Sequence, residues 1–251
     1  MSNDKSKVFL ADGDDPEMHQ ACETARANFR YFWREVAADR RRIIPALGLA
    51  CVKAPFSDGE SGNSRTTAPK VEHMWLDEVD FDGRVITGVL LNRPNRLKSV
   101  KQGDAVRLAL GEISDWMFAI SGIVYGAHTV NLLRSRMGMR ELKEHDDAWR
   151  LNFGDPLKVR LVSEREVRAV SDAFAESLRE HLAKNPDLVS AKSDNGWTLL
   201  HQDALAGNAA SVKILLEAGA DPNAVTDHGM TPLQLAESLG WDEVIALFRH
   251  E

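Results

Sequence analysis

Gly196-Trp197-Thr198-Leu199-Leu200-His201 and Gly229-Met230-Thr231-Pro232-Leu233-Gln234 superpose at an offset of 33 residues, and the same offset carries Gly207 onto Gly240. Self-similarity at such a period marks a repeat array, in which each unit buries its apolar face only against its neighbours. Thr198 and Thr231 stand where a hydroxyl can cap a first helix, and Gly207 and Gly240 where the chain turns into a second. Val212, Leu215 and Leu216, then Val244, Leu247 and Phe248, recur at helical spacing and need neighbours to pack on. Upstream, Phe174, Leu178 and Leu182 follow one another at four-residue spacing, and Asp187-Leu188-Val189-Ser190-Ala191 is in register with the later loop around Asp221. The expectation over 172–251 is a degenerate capping unit, one complete repeat and a truncated last one.

The period, together with Val212-Lys213-Ile214-Leu215-Leu216-Glu217-Ala218-Gly219-Ala220-Asp221-Pro222-Asn223-Ala224 between the two copies, resembles the ankyrin repeat. In that family partners are held by the loop tips before each helix pair and by the exposed side of the first helices. The resemblance therefore implies partner contacts at Asp194, Asn195, Trp197, Leu205 and Ala206, and again at Asp227, His228, Met230, Ser238 and Leu239. Trp197 has two readings, an interface anchor or a cover for the apolar end of the preceding domain. His201 falls where ankyrin repeats commonly carry a histidine that bonds neighbouring loop backbone, which makes it structural. So short a stack is expected to rest against the rest of the chain.

Working back toward the N-terminus, Asp15-Pro16-Glu17 combines a capping acid, a proline suited to the first helical turn and an anion at the positive end of the dipole. Met18, Cys22, Ala25, Phe29, Phe32, Trp33 and Val36 then form one apolar stripe of a helix reaching about Ala38, with Arg40-Arg41-Arg42 just past its end. Beyond it the pattern changes to strands over Leu47 to Lys53, Val71 to Val79, Arg84 to Leu91 and Ala105 to Ile113, with Asp82-Gly83 as a hairpin turn. Residues 57–70 read as a loop. The fold class that results is α+β: an N-terminal antiparallel sheet with a long helix, followed by an all-α ankyrin-repeat stack. The expected domains are 9–137, a connector over 138–171 with a short element near Leu157 to Val162, and the repeats.

Within the first of these, His73-Met74-Trp75-Leu76, Thr87-Gly88-Val89-Leu90-Leu91-Asn92, Lys101-Gln102-Gly103-Asp104-Ala105-Val106, Ile113-Ser114-Asp115-Trp116-Met117 and Gly126-Ala127-His128-Thr129 follow in order. This series resembles the YegJ-like domain of unknown function, a bacterial family that implies no enzymatic activity to carry over. Read from the residues, Asp115 next to Trp116 has two readings, a polar site with an aromatic wall or, more cheaply, a turn aspartate beside a packed indole, and Glu72, Asp77, Glu78, Asp80 and Asp82 form a solvated acidic hairpin whose spacing is not that of a calcium loop.

Charge divides unevenly. Residues 172–251 hold 13 Asp and Glu against 5 Lys and Arg, a net of −8, whereas 1–171 hold 25 against 26, a net of +1. Such a repeat stack repels nucleic acid and attracts basic protein. No HExxH, P-loop, GxGxxG or GxSxG sequence occurs, and the histidines show no metal-ligand pairing, so neither enzyme activity, cofactor nor metal is expected. Cys22 and Cys51 read as buried thiols. The absence of a long apolar run and of a signal-peptide pattern points to a cytoplasmic protein without a membrane partner. A YegJ-like domain joined to ankyrin repeats resembles immunity proteins of type VI secretion nuclease toxins, which implies a basic nuclease toxin as protein partner. A general ankyrin adaptor is the alternative.

Overall fold

The computed structural model describes residues 15–58 and 71–249, over 164–170 by backbone alone. Residues 9–14 of the expected first domain and 59–70 of the expected loop lie outside the described residues. The chain forms two compact units, one made of residues up to Phe32 with Pro45–Arg160, the other of Trp33–Ile44 with Leu161–Glu251.

Helix α1 spans Pro16–Asp39. Asp15 starts it, its Oδ1 accepting the N–H groups of Glu17 at 3.0 Å and Met18 at 3.3 Å, which satisfies donors that have no partner inside the helix. The whole apolar stripe anticipated from Met18 to Val36 is buried.

Six strands follow: β1 Leu47–Phe56, β2 Glu72–Phe81, β3 Val85–Leu90, β4 Ala105–Ala109, β5 Asp115–Ile120 and β6 Ile123–Gly126. They form one sheet in the order β4-β3-β2-β1-β5-β6, every pair antiparallel. The β2–β3 turn is held by Asp82, whose carboxylate accepts from the backbone of Arg84 and Val85 at 2.9 and 2.7 Å while Gly83 takes a φ of 92°.

Alternation along the strands sorts residues onto two faces. Trp116 belongs to the face under α1: its Nε1 donates to the Ala25 carbonyl at 2.7 Å, and its ring lies 5.8 Å from that of Phe32. The other face carries Cys51, Trp75 and Met117, which pack with Val124, Ala127, Val130 and Phe153. Helix α2, His128–Ser135, and helix α3, Met139–Trp149, follow β6. The buried Arg134 binds Asp146 through Nε and Nη2 at 2.8 and 2.6 Å, and also the Asn131 side chain and the Gly154 carbonyl, tying α3 and the segment after it to α2.

Three expectations are corrected here. The strand anticipated to Ile113 ends at Ala109, because Leu110–Glu112 turn as a 3-10 helix whose Glu112 carboxylate accepts the Ala109 N–H at 2.6 Å. The stretch read as a connector contains α3, and Leu157 to Val162 form neither helix nor strand. Asp115 opens β5 and is fully buried, so it is no turn residue.

In the second unit α4 spans Glu164–Lys184 and a 3-10 turn Pro186–Val189. Two helix pairs follow: α5 Leu199–Ala206 with α6 Ala209–Glu217, and α7 Pro232–Leu239 with α8 Asp242–Arg249. Thr198 and Thr231 cap α5 and α7, each in a reciprocal box with the side chain three residues on, His201 and Gln234. Gly207 and Gly240 end those helices with φ values of 73° and 65°. Leu182, Leu200, Val212, Leu215 and Val244 form the shared core; Ala175 occupies the buried place anticipated for its neighbour Phe174. Residues 33–44 close this unit: Arg41 Nη1 meets the buried Asp203 carboxylate of α5 at 2.5 Å, and the Arg34 guanidinium lies 5.5 Å from the Trp241 ring.

Candidate functional site

The loop before α5 closes through Ser193 N–H to the Trp197 carbonyl and Gly196 N–H to the Ser193 carbonyl, both at 2.9 Å. Thirty-three residues on, Thr226 and Gly229 repeat the arrangement, bonding to Met230 and Thr226 at 3.0 and 2.8 Å. Asp227 N–H donates to the Asn195 carbonyl at 3.1 Å, so the two tips are stitched together. Gly196 allows this approach, since a Cβ there would lie 2.7 Å from Asp227 Oδ1. His201 supports the tips from below: its Nδ1 accepts the Thr198 N–H at 3.1 Å, and its Nε2 lies 3.0 Å from the Ala224 carbonyl. A ring that accepts at Nδ1 and donates at Nε2 is neutral, and burial accordingly lowers its pKa.

Among the residues that the sequence nominated for partner contact, Asp194, Asn195, Asp227 and His228 are exposed on these tips. Ser238 is exposed on α7, its hydroxyl donating to the Leu235 carbonyl at 2.7 Å. Trp197 is partly buried, its ring 5.9 Å from His201. Leu205 and Met230 need correction: they are 1% and 5% exposed, and Ala206 and Leu239 are buried with them. These positions are withdrawn from the surface by packing around α5 and α7, where Trp241 Nε1 donates to the Leu205 carbonyl at 3.0 Å and Thr226 Oγ1 accepts the Met230 N–H at 3.2 Å. Asp203 is the feature that sequence reading missed here. Desolvation raises its pKa while the Arg41 guanidinium and the Asn208 amide pull it back.

A second constellation lies in the first unit. Register places Lys53 of β1 beside Trp75 of β2 on one side and Asp115 of β5 on the other. Asp115 accepts the backbone N–H groups of His128 and Thr129 at 2.9 and 2.8 Å and the Thr129 hydroxyl at 2.6 Å, capping α2 from the start of β5. Lys53 Nζ lies 3.4 Å from Thr129 Oγ1 and 5.5 Å from the centre of the Trp75 ring. Ser114 Oγ bonds the Lys53 carbonyl and, at 2.9 Å, His73 Nδ1. Burial pushes the Lys53 ammonium below the usual lysine value, with Asp115 opposing. Burial and the Lys53 charge lower His73 to about 4. The buried His128 is also lowered by desolvation, and its Nε2 has no hydrogen-bond partner among the described residues.

The acidic hairpin is less uniform than its sequence suggests. Glu72 is buried and clasps the backbone N–H groups of Asn95 and Arg96 at 2.8 and 2.7 Å, and Asp82 is spent on the turn, so both are structural. Among the described residues no group of His, Cys, Asp or Glu is arranged to hold a metal ion. No described helix is long and apolar enough to cross a membrane.

The family model described as "Uncharacterized protein conserved in bacteria (DUF2314)" matches residues 15–153, more than half of the chain. The chain belongs to the DUF2314 family. The match spans the sheet, its three helices and the residues Lys53, Asp115 and Thr129. A model for ankyrin repeats, in three copies, matches residues 167–250. An ankyrin repeat protein of Neisseria meningitidis serogroup B is 41% identical over 255 residues, 98% of each chain. The uncharacterized protein YegJ of Escherichia coli is 33% identical over 82 residues, 33% of this chain and 48% of that one. An ankyrin repeat protein of Pyrobaculum aerophilum is 40% identical over 75 residues, 30% of this chain and 27% of that one. As a DUF2314 chain with ankyrin repeats, the protein has an architecture associated with protein–protein interaction.

Proposed function

We propose that the chain is a non-catalytic binding protein that holds a basic protein through its repeat tips, and that this partner is a nuclease-type toxin for which the chain is the immunity protein. The observation that carries the reading is the stitched pair of tips, with Asp194 and Asp227 exposed on a framework joined by the Asp227-to-Asn195 bond. Preorganised loops lose little conformational entropy on binding. The net charge of −8 over 172–251 complements the basic surface that a nuclease needs for its own substrate, and it favours fast encounter. Neutralisation in this reading is stoichiometric: the chain covers the toxin's active site and turns nothing over.

The test is affinity capture by the full chain from the native bacterium, repeated with Asp194→Ala, Asp227→Ala and His228→Ala combined. A basic nuclease recovered by the parent chain and weakened in the triple variant supports both halves of the proposal. Equal recovery by the two moves the interface off the tips. A catch of housekeeping proteins alone overturns the immunity reading in favour of a general adaptor.

A further inference from the structure

The two edges of the sheet differ. Along β6 the Val124 N–H donates to the Asn152 carbonyl at 3.0 Å and the Gly126 N–H to the Arg160 carbonyl at 2.9 Å, so the segment after α3 closes that edge. Strand β4 pairs with β3 and with no other described strand. Continuing its register by one residue sets Leu90 opposite Asp104, and there the Leu90 N–H donates to the Asp104 carbonyl at 2.9 Å. Bonded and non-bonded pairs alternate along an antiparallel ladder. Val106 and Leu108 therefore turn their backbone groups to β3, whereas Ala105, Arg107 and Ala109 turn theirs outward. Glu112 takes the Ala109 N–H. The N–H and C=O groups of the exposed Ala105 and Arg107 are left for a further strand.

The approach to this edge is basic. Arg93, Arg96, Lys98 and Lys101 are exposed on the loop before β4, Arg107 is exposed on the strand itself, and none of the five has an ion-pair partner among the described residues. Three carboxylates bond this loop through its backbone instead: Glu72 accepts from Asn95 and Arg96, Asp58 from Lys98 and Ser99 at 2.9 Å each, and Asp104 from Lys101 at 2.9 Å. They fix its shape and leave its cationic side chains unpaired. We propose that β4 is a docking edge for an extended acidic segment of another protein, which adds to the sheet as a seventh strand. Main-chain bonds to Ala105 and Arg107 set its register, and the cations of the loop and of β4 select its carboxylates. Ala105 and Ala109, on the same face as Arg107, leave room for its side chains. A second copy of β4 is the wrong occupant, because pairing would set these cations against their own kind. The inference is independent of partner binding by the repeats, whose proposed partner carries the opposite charge.

The experiment titrates the full chain into a fluorescein-labelled octapeptide of alternating glutamate and valine, follows anisotropy at low and physiological salt, and measures amide exchange of the bound chain by NMR. The peptide is expected to bind, to lose affinity several-fold as salt rises, and to slow exchange of the Ala105 and Arg107 amides by more than about tenfold. The matching lysine–valine octapeptide should not bind. Ala105→Pro removes an outward N–H without breaking the ladder to β3, and should abolish binding at an unchanged melting temperature. Lys101→Gln combined with Arg107→Gln should weaken binding several-fold. The exchange measurement uses the unsubstituted chain and stands whether or not the proline variant folds. Equal binding of the two peptides, binding of neither, unchanged exchange at Ala105 and Arg107 in the bound state, or pairing of two copies through β4 overturns the proposal.

Discussion

Gly126 must be glycine for two separate reasons. Its φ is 76°, and a Cβ there would lie 2.3 Å from the Trp116 ring and 2.6 Å from the Trp116 carbonyl oxygen. Neither neighbour can yield, because the ring is fully buried and its Nε1 is bonded to Ala25. Gly126→Ala should therefore cost about 3 kcal/mol or more, seen as a lower urea midpoint; a midpoint unchanged from the parent would refute this account. The histidines give a second expectation. His73, His128 and His201 all have folded-state pKa values below 6.5. Groups depressed in this way contribute their full stability above the unfolded value and lose it as pH falls toward the folded one. The melting temperature should thus hold near pH 7 and decline from about 6.5 toward the value of about 4 for His73; a flat profile over that window would contradict it. His201→Gln should flatten part of the decline. The residues of this site were visible as motifs in the sequence, but Asp115 was read as a turn residue because its acceptors' partners, His128 and Thr129, lie 13 and 14 positions away.

At the scale of elements, the repeat helices are written in their caps. Thr231→Ala should lower the unfolding free energy of the second unit by about 1 kcal/mol, measurable as an earlier thermal transition. The Arg41–Asp203 pair is a stronger matter, since Asp203 is 1% exposed at its side chain. Arg41→Met leaves a buried carboxylate without its cation and should cost about 3–5 kcal/mol. Adding Asp203→Leu should recover much of that loss, and a double variant no better than the single one would show that packing, not charge, holds the segment. The sequence exposed α1 and four of the strands because each has one apolar face, and the repeat helices through their period and caps. It hid α3, which contains no buried residue and so shows no apolar stripe. It hid β5 for the opposite reason: five consecutive buried residues erase the alternation by which a one-sided strand is recognised.

For the molecule as a whole, the acidic repeats should make association with a basic partner sensitive to salt, the on-rate falling several-fold between low and physiological ionic strength. Stopped-flow rates independent of salt would remove charge from the account. The repeats made alone as residues 161–251 lack Trp33–Ile44, which belong to the same unit, and should show no cooperative unfolding transition; a sharp one would show that those residues are dispensable. By itself the sequence determined the 33-residue period, the capping threonines, the helix start at Asp15 and the Asp82-Gly83 hairpin, because each depends on residues a few positions apart. Only the tertiary structure decided that Leu205 and Met230 are buried, that Glu72 is a clasp and that Lys53 sits among Trp75, Asp115 and Thr129. It also decided that Arg41 reaches Asp203, 162 positions away. Local periodicity records which face of an element is apolar. It cannot record which distant residue fills the place beside it, because that choice is made when the chain closes its loops and packs.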